Sequence, residues 1–491
     1  MVSPELRSKY TATIGIECHV QLKSKTKLFS AVDNDAREAP ANTLVSHIDF
    51  GLPGSLPVMN EEALHLASRA AFALGSTPQK FSKFDRKHYF YPDLPMGYQI
   101  TQYDEPIILG GSVVVEVDGQ QKTIGITRAH MEADAGKSTH PEGKGYSLVD
   151  LNRAGTPLLE IVSEPDMHTA AEAKAYAREL YLRMRYADVS DCNLYYGNMR
   201  FDVNVSVSKT DELGTRTETK NLNSFRAVEK AIEYEIDRQI ELLEKGEKIV
   251  QETRGWNDAK QRTFTQRTKE NADDYRYMPD PDLPPIVLDD AYISKVKAEM
   301  PVMPAEWCDR LKQLGLDAAQ TDTLLESELD APEVNYLELI EQNLSNQAFA
   351  KQLANWFVNI EIPQRRDEKV LNGGDNTARL RFYQAVYELS KAGKLSSTNA
   401  KSLINDVLAA HDYPDDVAKH AEEQGFIQVS DEGEIAKIVE QILAENAKAA
   451  EDVKNGEMKA IGFLVGQVMK ASRGKANPQL AQELIKKQLG L

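Results

Sequence analysis

The sequence predicts an α+β protein, with a mostly antiparallel sheet and its helices up to about residue 290 and an all-helical remainder. Three observations predict it. Short runs with an apolar residue at every second position recur before residue 290. Two pairs of runs meet at tight-turn dipeptides, Asp118-Gly119 and Gly197-Asn198, which read as hairpins. The Asp- and Pro-rich stretch 275–285 then ends any regular element, and beyond it apolar residues fall at helical spacing.

Taken in order, the first strand is 14–22. Ile14, Ile16, Cys18, Val20 and Leu22 share one face, and Glu17, His19 and Gln21 share the other. Two metal-capable side chains at i and i+2 on a rigid strand suit a site that must hold an ion. Alone, they read first as an ordinary polar strand face. Asn60 can cap a helix with Leu64, Ala67, Ala70, Ala71 and Leu74 on its apolar side, stopped by Gly75. Residues 112–117 and 120–127 flank the Asp118-Gly119 turn. Thr169 and Glu172 form a capping box for a helix reaching about Tyr186.

Residues 194–196 and 199–208 flank the second turn. In 199–208, Phe201, Val203, Val205 and Val207 face one way, and Asp202, Asn204, Ser206 and Ser208 the other. Residues 215–220 place Arg216, Glu218 and Lys220 on one face. A third helix carries Phe225, Val228, Ile232, Ile236, Ile240 and Leu243, ending at Gly246. All three helices read as cover for one side of the sheet. Amphipathic segments follow around 306–314, 332–344, 346–358, 377–389, 398–409, 435–443 and 461–469.

Composition bounds the function. A chain of 491 residues suggests two to four domains. No apolar run approaches membrane-spanning length, and the first residues lack a signal-peptide or transit pattern, so a cytoplasmic location is expected. Cys18, Cys192 and Cys308 are odd in number and far apart, which fits neither a disulfide framework nor a Cys-x-x-Cys zinc pair. A net charge of −18 argues against nucleic-acid binding over the whole surface. From Lys454 onward, however, seven cations (Lys454, Lys459, Lys470, Arg473, Lys475, Lys486, Lys487) meet only Glu457 and Glu483, which suggests a module with a polyanionic partner. A solvated helical tail is the competing reading.

Two clusters carry candidate chemistry. In 84–99, Arg86 and Lys87 offer phosphate donors, and the rings from His88 to Tyr91 offer faces on which a base can stack. A packed aromatic corner competes with that reading. In 129–140, Gly136-Lys137-Ser138 imitates the end of a P-loop, but Met131 stands where the first glycine belongs, which rules the P-loop out. Glu132 and Asp134 stay as candidate hard-cation ligands. If the strands are neighbours, Glu17, His19, Asp202, Asn204, Arg216, Glu218 and Lys220 make a charged floor, which suits a magnesium-nucleotide site. A structural ion-pair network competes equally.

Several long motifs coincide in order, among them 14–22, 84–104, 125–140, 218–225 and 273–283. Others are Tyr146-Ser147-Leu148-Val149-Asp150-Leu151-Asn152-Arg153-Ala154-Gly155-Thr156-Pro157 with its continuation to Pro165, and the ending 463–478. Over nearly the whole chain they resemble the B subunits of the aspartyl/glutamyl-tRNA(Asn/Gln) amidotransferases.

The resemblance implies a cradle domain (1–292), a helical domain (293–410) and a small basic helical tail domain (411–491). It implies protein partners in a heterotrimer, an amidase that releases ammonia and a small third protein that clasps the other two, and a mischarged tRNA as substrate. It also implies ATP and Mg2+: the side-chain carboxylate of the attached Glu or Asp is phosphorylated, and channelled ammonia displaces the phosphate. Glu17, His19 and Glu132 look like the metal set. Arg86, Lys87 and Tyr89 look like nucleotide and channel-mouth residues, with Lys87 able to pair with Glu132 as a gate. Asp202 and Glu218 join from the polar-face argument, and Lys470, Arg473 and Lys475 resemble the part that holds the tRNA body. Cys18 stands where the family usually has Val, and the cysteine spacing for a zinc site found in some relatives is absent, so no zinc is expected. The alternatives are a non-catalytic RNA-binding scaffold subunit and a metal-dependent hydrolase acting alone.

Overall fold

The computed structural model describes residues 2–268, 275–368, 375–427, 432–455, 457, 459–472 and 476–491. The chain divides into two compact units, Met1–Pro304 and Ala305–Leu491. Among the described residues no helix is long and apolar enough to cross a membrane.

The first unit is built on one large sheet, which has nine strands among the described residues. They are β1 (Thr11–Gln21), β2 (Ile108–Leu109), β3 (Ser112–Val117), β4 (Gln120–Ala133), β5 (Pro157–Ser163), β6 (Met199–Ser208), β7 (Thr217–Leu222), β8 (Glu252–Asn257) and β9 (Arg262–Thr268). The order is β9-β8-β7-β6-β1-β5-β4-β2, with β3 on β4. β7 and β8 run parallel, and the other pairs are antiparallel. β1 therefore lies between β5 and β6.

Alternation along β1 decides which side is buried. Ile14, Ile16, Cys18, Val20 and Leu22 are at most 1% exposed, while Glu17, His19 and Gln21 stay half-buried on the opposite face. Three helices cover the apolar face. α1 (Glu61–Ala73) is capped by Asn60, α2 (Ala170–Tyr186) by the Thr169–Glu172 box, and α3 (Phe225–Glu244) by Ser224. Their buried stripes and the inward faces of β1, β4, β5 and β6 make one core, in which each fully buried Leu, Ile or Val contributes about 1.5–3 kcal/mol. Positive φ at both Asp118 (51°) and Gly119 (75°) gives the β3–β4 hairpin a turn whose twist matches its strands. Cys18 and Cys192 are buried thiols, and Cys308 is partly buried.

Two sequence expectations fail. Residues 194–196 form turns rather than the first strand of a hairpin: Cys192 turns the chain with φ 47°, and the Asn198 amide closes back on the Asn193 carbonyl. Arg216 precedes β7, is exposed, and contributes nothing to the floor.

The regular elements of the second unit are all helices among its described residues. Glu361, Arg379, Arg365 and Tyr383 form a closed buried network. The Glu361 carboxylate accepts from Arg379 Nε at 3.3 Å, Arg365 Nε at 2.7 Å and the Tyr383 hydroxyl at 2.6 Å. A π-helical turn, Phe357–Glu361, leads into the helix Ile362–Glu368, where Pro363 has no amide proton to offer the preceding turn. The helix Val417–Glu423 packs on Asn376–Lys391, whereas the last four helices, from Glu432 to Leu489, share a core running from Ile435 to Ile485.

Candidate functional site

The polar face of the sheet forms the floor of a cleft of about 390 Å³. The sheet register explains what meets there. Glu17 and His19 sit two residues apart on β1, so their side chains point the same way with Cα atoms roughly 6.6 Å apart, yet their ligand atoms fall in different sets. Each instead gathers ligand-capable neighbours from adjoining strands. His19 lies opposite Glu160 on β5, and Leu158 two residues earlier lies opposite Glu132 on β4. Glu17 lies opposite Asp202 on β6, and Asn204 lies opposite Glu218 on β7. Two sets result, His19–Glu132–Glu160 and Glu17–Asp202–Glu218, each with ligand atoms within 4.8 Å of one another. The set expected from the sequence, Glu17 with His19 and Glu132, draws its members from both of these groups.

Hydrogen bonds hold these carboxylates in place. Asn204 Nδ2 donates to Glu17 at 3.1 Å and Thr253 Oγ1 to Glu218 at 3.0 Å. Lys220 Nζ donates to Asp202 at 2.8 Å, and the Asn221 amide, turned inward by a φ of 58°, donates to the other Asp202 oxygen at 2.8 Å. Thr101 Oγ1 donates to Glu132 at 3.3 Å, and His130 Nε2 stands 3.7 Å from Glu132 and 3.8 Å from Glu160. His19 Nε2 is 3.3 Å from Glu160.

The electrostatics of the floor are lopsided. Six carboxylates line the cleft (Glu17, Glu132, Asp134, Glu160, Asp202, Glu218) against three lysine or arginine cations, Lys87, Arg200 and Lys220. Burial and then the charge of Glu160 push the Glu17 carboxyl above its ordinary range. Against the cost of burial, His130 and His19 hold Glu160 well below it, and Lys220 holds Asp202 below its own ordinary value. Burial disfavours charge on His19, but its bond to Glu160 lifts it to about 9. Lys87 is likewise kept charged against burial by Glu132 and Glu160, and its ammonium lies 4.9 Å from the Tyr275 ring and 5.8 Å from the Tyr89 ring.

Of the residues singled out in the sequence, Glu17, His19, Lys87, Tyr89, Glu132, Asp202 and Glu218 all line this cleft. Lys87 makes no direct ion pair with Glu132 among the described residues, only a longer-range attraction. Arg86 is directed elsewhere: on the strand Asp85–His88 it alternates with Lys87, binds Asp280 at 2.8 Å and Asp282 at 2.9 Å, and stacks 4.3 Å over Tyr98. Asp134 lines the cleft but joins neither ligand set, because Arg200 (2.9 Å) and Arg153 (3.4 Å) engage it. Lys470 lies exposed on the helix Lys459–Ala471, while Arg473 and Lys475 fall outside the described residues.

Sequence reasoning missed Glu160, Arg200, His130 and Tyr275. Period-two counting from Asp202 points to Arg200, and a lone Glu160 within the apolar strand Pro157–Ser163 was a usable signal.

Comparison with known proteins shows the family to which the chain belongs. Residues 12–294 match the GatB/GatE catalytic domain and residues 337–489 the GatB domain. The chain is 44% identical over 483 residues to the aspartyl/glutamyl-tRNA(Asn/Gln) amidotransferase B subunit of Bdellovibrio bacteriovorus, covering 98% of this chain and 99% of the relative. To the protein of the same name in Moorella thermoacetica it is 42% identical over 486 residues, covering 98% and 100%. The sheet that carries the two carboxylate sets lies wholly within the matched catalytic domain, except for the first residue of β1, and the chain belongs to the family of amidotransferase B subunits.

Proposed function

We propose that this chain is the subunit of an ATP-dependent amidotransferase complex that converts Glu-tRNA(Gln), Asp-tRNA(Asn) or both to their amidated forms. The observation that carries this reading is the excess of carboxylates in the cleft, gathered in two ligand-competent sets. Buried negative charge costs several kcal/mol unless it is paired; Lys87, Arg200, Lys220, Arg153 and the raised His19 answer most of the six carboxylates, and a cation from solution would complete the balance. Mg2+ fits, since it takes carboxylate oxygens and keeps room for phosphates. Asn204 supports the fit: its Nδ2 steadies Glu17, while its buried Oδ1 has no hydrogen-bond partner among the described residues. His19, Glu132 and Glu160 would hold one ion, and Glu17, Asp202 and Glu218 another.

The chemistry follows from the leaving group. A carboxylate resists ammonia because oxide cannot leave. ATP supplies the remedy by passing its γ-phosphoryl group to a carboxylate oxygen, giving an acyl phosphate and ADP. Ammonia then adds at that carbon, phosphate departs with the C–O bond's electrons, and the nitrogen loses a proton. The chain's own residues orient and neutralise. Lys87, held between Tyr89 and Tyr275, is a fixed cation for an incoming acid or phosphate. Lys220, bound to Asp202 and 3.5 Å from Glu218, keeps Asp202 ionised against burial. Asn204, Thr253 and Thr101 fix the carboxylates before any ligand arrives.

The reading includes an amidase partner that frees ammonia from glutamine, a small third protein in the complex, a cytoplasmic setting, and a three-domain division with residues 411–491 gripping the tRNA body. Removing residues 454–491 is expected to weaken tRNA binding and flatten its salt dependence; an unchanged slope would refute the assignment of the tail. The test of the main reading is ATP cleavage by the reconstituted complex with and without mischarged tRNA. Cleavage should depend on the tRNA and collapse in Glu17→Ala. A variant that cleaves at the wild-type rate would leave the chain a scaffold for chemistry done elsewhere.

A further inference from the structure

Among the three lysine or arginine cations of the cleft, Arg200 combines a fixed position with unused donors. Lys220 is committed to Asp202 at 2.8 Å, with Glu218 3.5 Å away. Lys87 lies against the Tyr275 and Tyr89 rings and offers a point charge without a planar fork. Arg200 donates from Nη2 to Asp134 at 2.9 Å. Its Nε and Nη1 have no hydrogen-bond partner among the described residues, and the side chain keeps 14% of its surface open.

The strand register places these open donors. Arg200 on β6 lies opposite His19 on β1, and Asp202, two residues further along β6, points the same way and lies opposite Glu17. Arg200 therefore borders both carboxylate sets. Its anchor is itself fixed: Asp134 accepts the Ala135 amide at 2.9 Å and lies 3.4 Å from both Arg153 Nε and Gln21 Nε2. Burial works against the Arg200 charge, and Asp134 and then Asp202 more than restore it. An acid that enters a floor of six carboxylates is repelled unless a cation receives it. A guanidinium clamped at one nitrogen, with its remaining N–H groups held in one plane, suits a planar carboxylate.

We infer that Arg200 receives the side-chain carboxylate of the aminoacyl group and refuses the amide that replaces it. The inference rests on the proposed function and deepens it. One carboxylate oxygen accepts from Nε or Nη1. The other attacks the γ-phosphorus as the bond from that phosphorus to the departing ADP oxygen breaks. Once ammonia has displaced phosphate, the group facing Arg200 carries an NH2 in place of an oxygen. Arginine has donors only, so N–H is then set against N–H, and a buried donor loses its partner. The same side chain thus draws in the substrate and releases the product.

The test uses the reconstituted complex and one tRNA in three forms: uncharged, mischarged and amidated. With metal present and ATP absent, wild type should bind the mischarged form on the order of tenfold more tightly than the amidated form. Arg200→Gln should lose that preference while binding the uncharged and amidated forms as wild type does. In turnover its KM for mischarged tRNA should rise by a similar factor, with KM for ATP unchanged. Arg200→Lys keeps a cation for Asp134, which guards against a folding defect, but lacks the fork and should also lose the preference. A preference retained in either variant would overturn the inference, as would a wild type that binds the mischarged and amidated forms alike. So would a rise in KM for ATP with the preference intact, which would assign Arg200 to the phosphates. An Arg200→Gln defect shared equally by all three forms would overturn it too, by reducing Arg200 to a support for the cleft wall. Failure of the proposed function shows itself separately, as a wild-type complex that amidates no tRNA.

Discussion

The cleft carboxylates and Glu361 of the second unit are both buried, but they are balanced in opposite ways. Glu361 is answered on every side: Arg379, Arg365 and Tyr383 bind its two oxygens, and against the cost of burial the arginines hold it below the usual carboxylate range. The cleft gathers six carboxylates around three lysine or arginine cations, and burial with like charge pushes Glu17 the other way. Burial of charge therefore does not by itself mark a site in this protein. A fully answered carboxylate marks a structural strut, and an excess of them marks a place where ions and phosphates are expected.

The largest effect expected from this contrast lies at the strut. Glu361→Ala leaves two arginines buried without their partner and should destabilise the chain by about 3–5 kcal/mol, measured by denaturant unfolding. A loss under about 1 kcal/mol would mean that the network is no tighter than a surface ion pair. Glu17→Gln should behave in the reverse manner. It relieves crowding among like charges, so stability should hold or rise, while tRNA-dependent amidation falls by about 10²–10³-fold, in the range for losing one preorganised electrostatic group. A variant that unfolds as readily as Glu361→Ala would place Glu17 with the struts.

A smaller effect tests the same logic by pH. Burial pushes the Glu328 carboxyl of the second unit up to about 7. Its folded value lies above its unfolded one, so it favours folding fully below the ordinary carboxylate range, and that contribution is lost as pH rises through about 7. Unfolding free energy should fall between about pH 4.5 and 7 by up to roughly 1.4 kcal/mol per pH unit, and Glu328→Gln should flatten that slope. An identical pH profile in the variant would show that Glu328 is already charged in the fold.

Much of this was legible in the sequence where the physics is local. Strict alternation from Ile14 to Leu22 placed Glu17 and His19 on one face and turned Cys18 away from them. The Asn60 cap, the Thr169–Glu172 box and the Asp118-Gly119 turn each rest on contacts within a few residues. What escaped depends on register between distant strands. Nothing near Glu160 says that it lies opposite His19, and nothing near Arg86 says that Asp280 and Asp282 draw it from the cleft. The Leu194–Tyr196 stretch misled because a turn dipeptide and apolar neighbours look alike with or without a partner strand. The helix Ala318–Asp330 was overlooked although Asp317 and Gln320 form its capping box.

Divalent cations are expected to balance the excess negative charge of the cleft. Thermal unfolding of the purified chain during titration with Mn2+ or Mg2+ tests it most directly, since a ligand that binds only the folded state raises its melting temperature. The melting temperature of wild type should climb with metal. The climb should shrink in Glu17→Gln and in Asp202→Asn and disappear when both are changed, with Glu361→Ala retaining the metal response of wild type. A wild-type chain indifferent to millimolar metal, or a double variant that responds as strongly as wild type, would contradict the account.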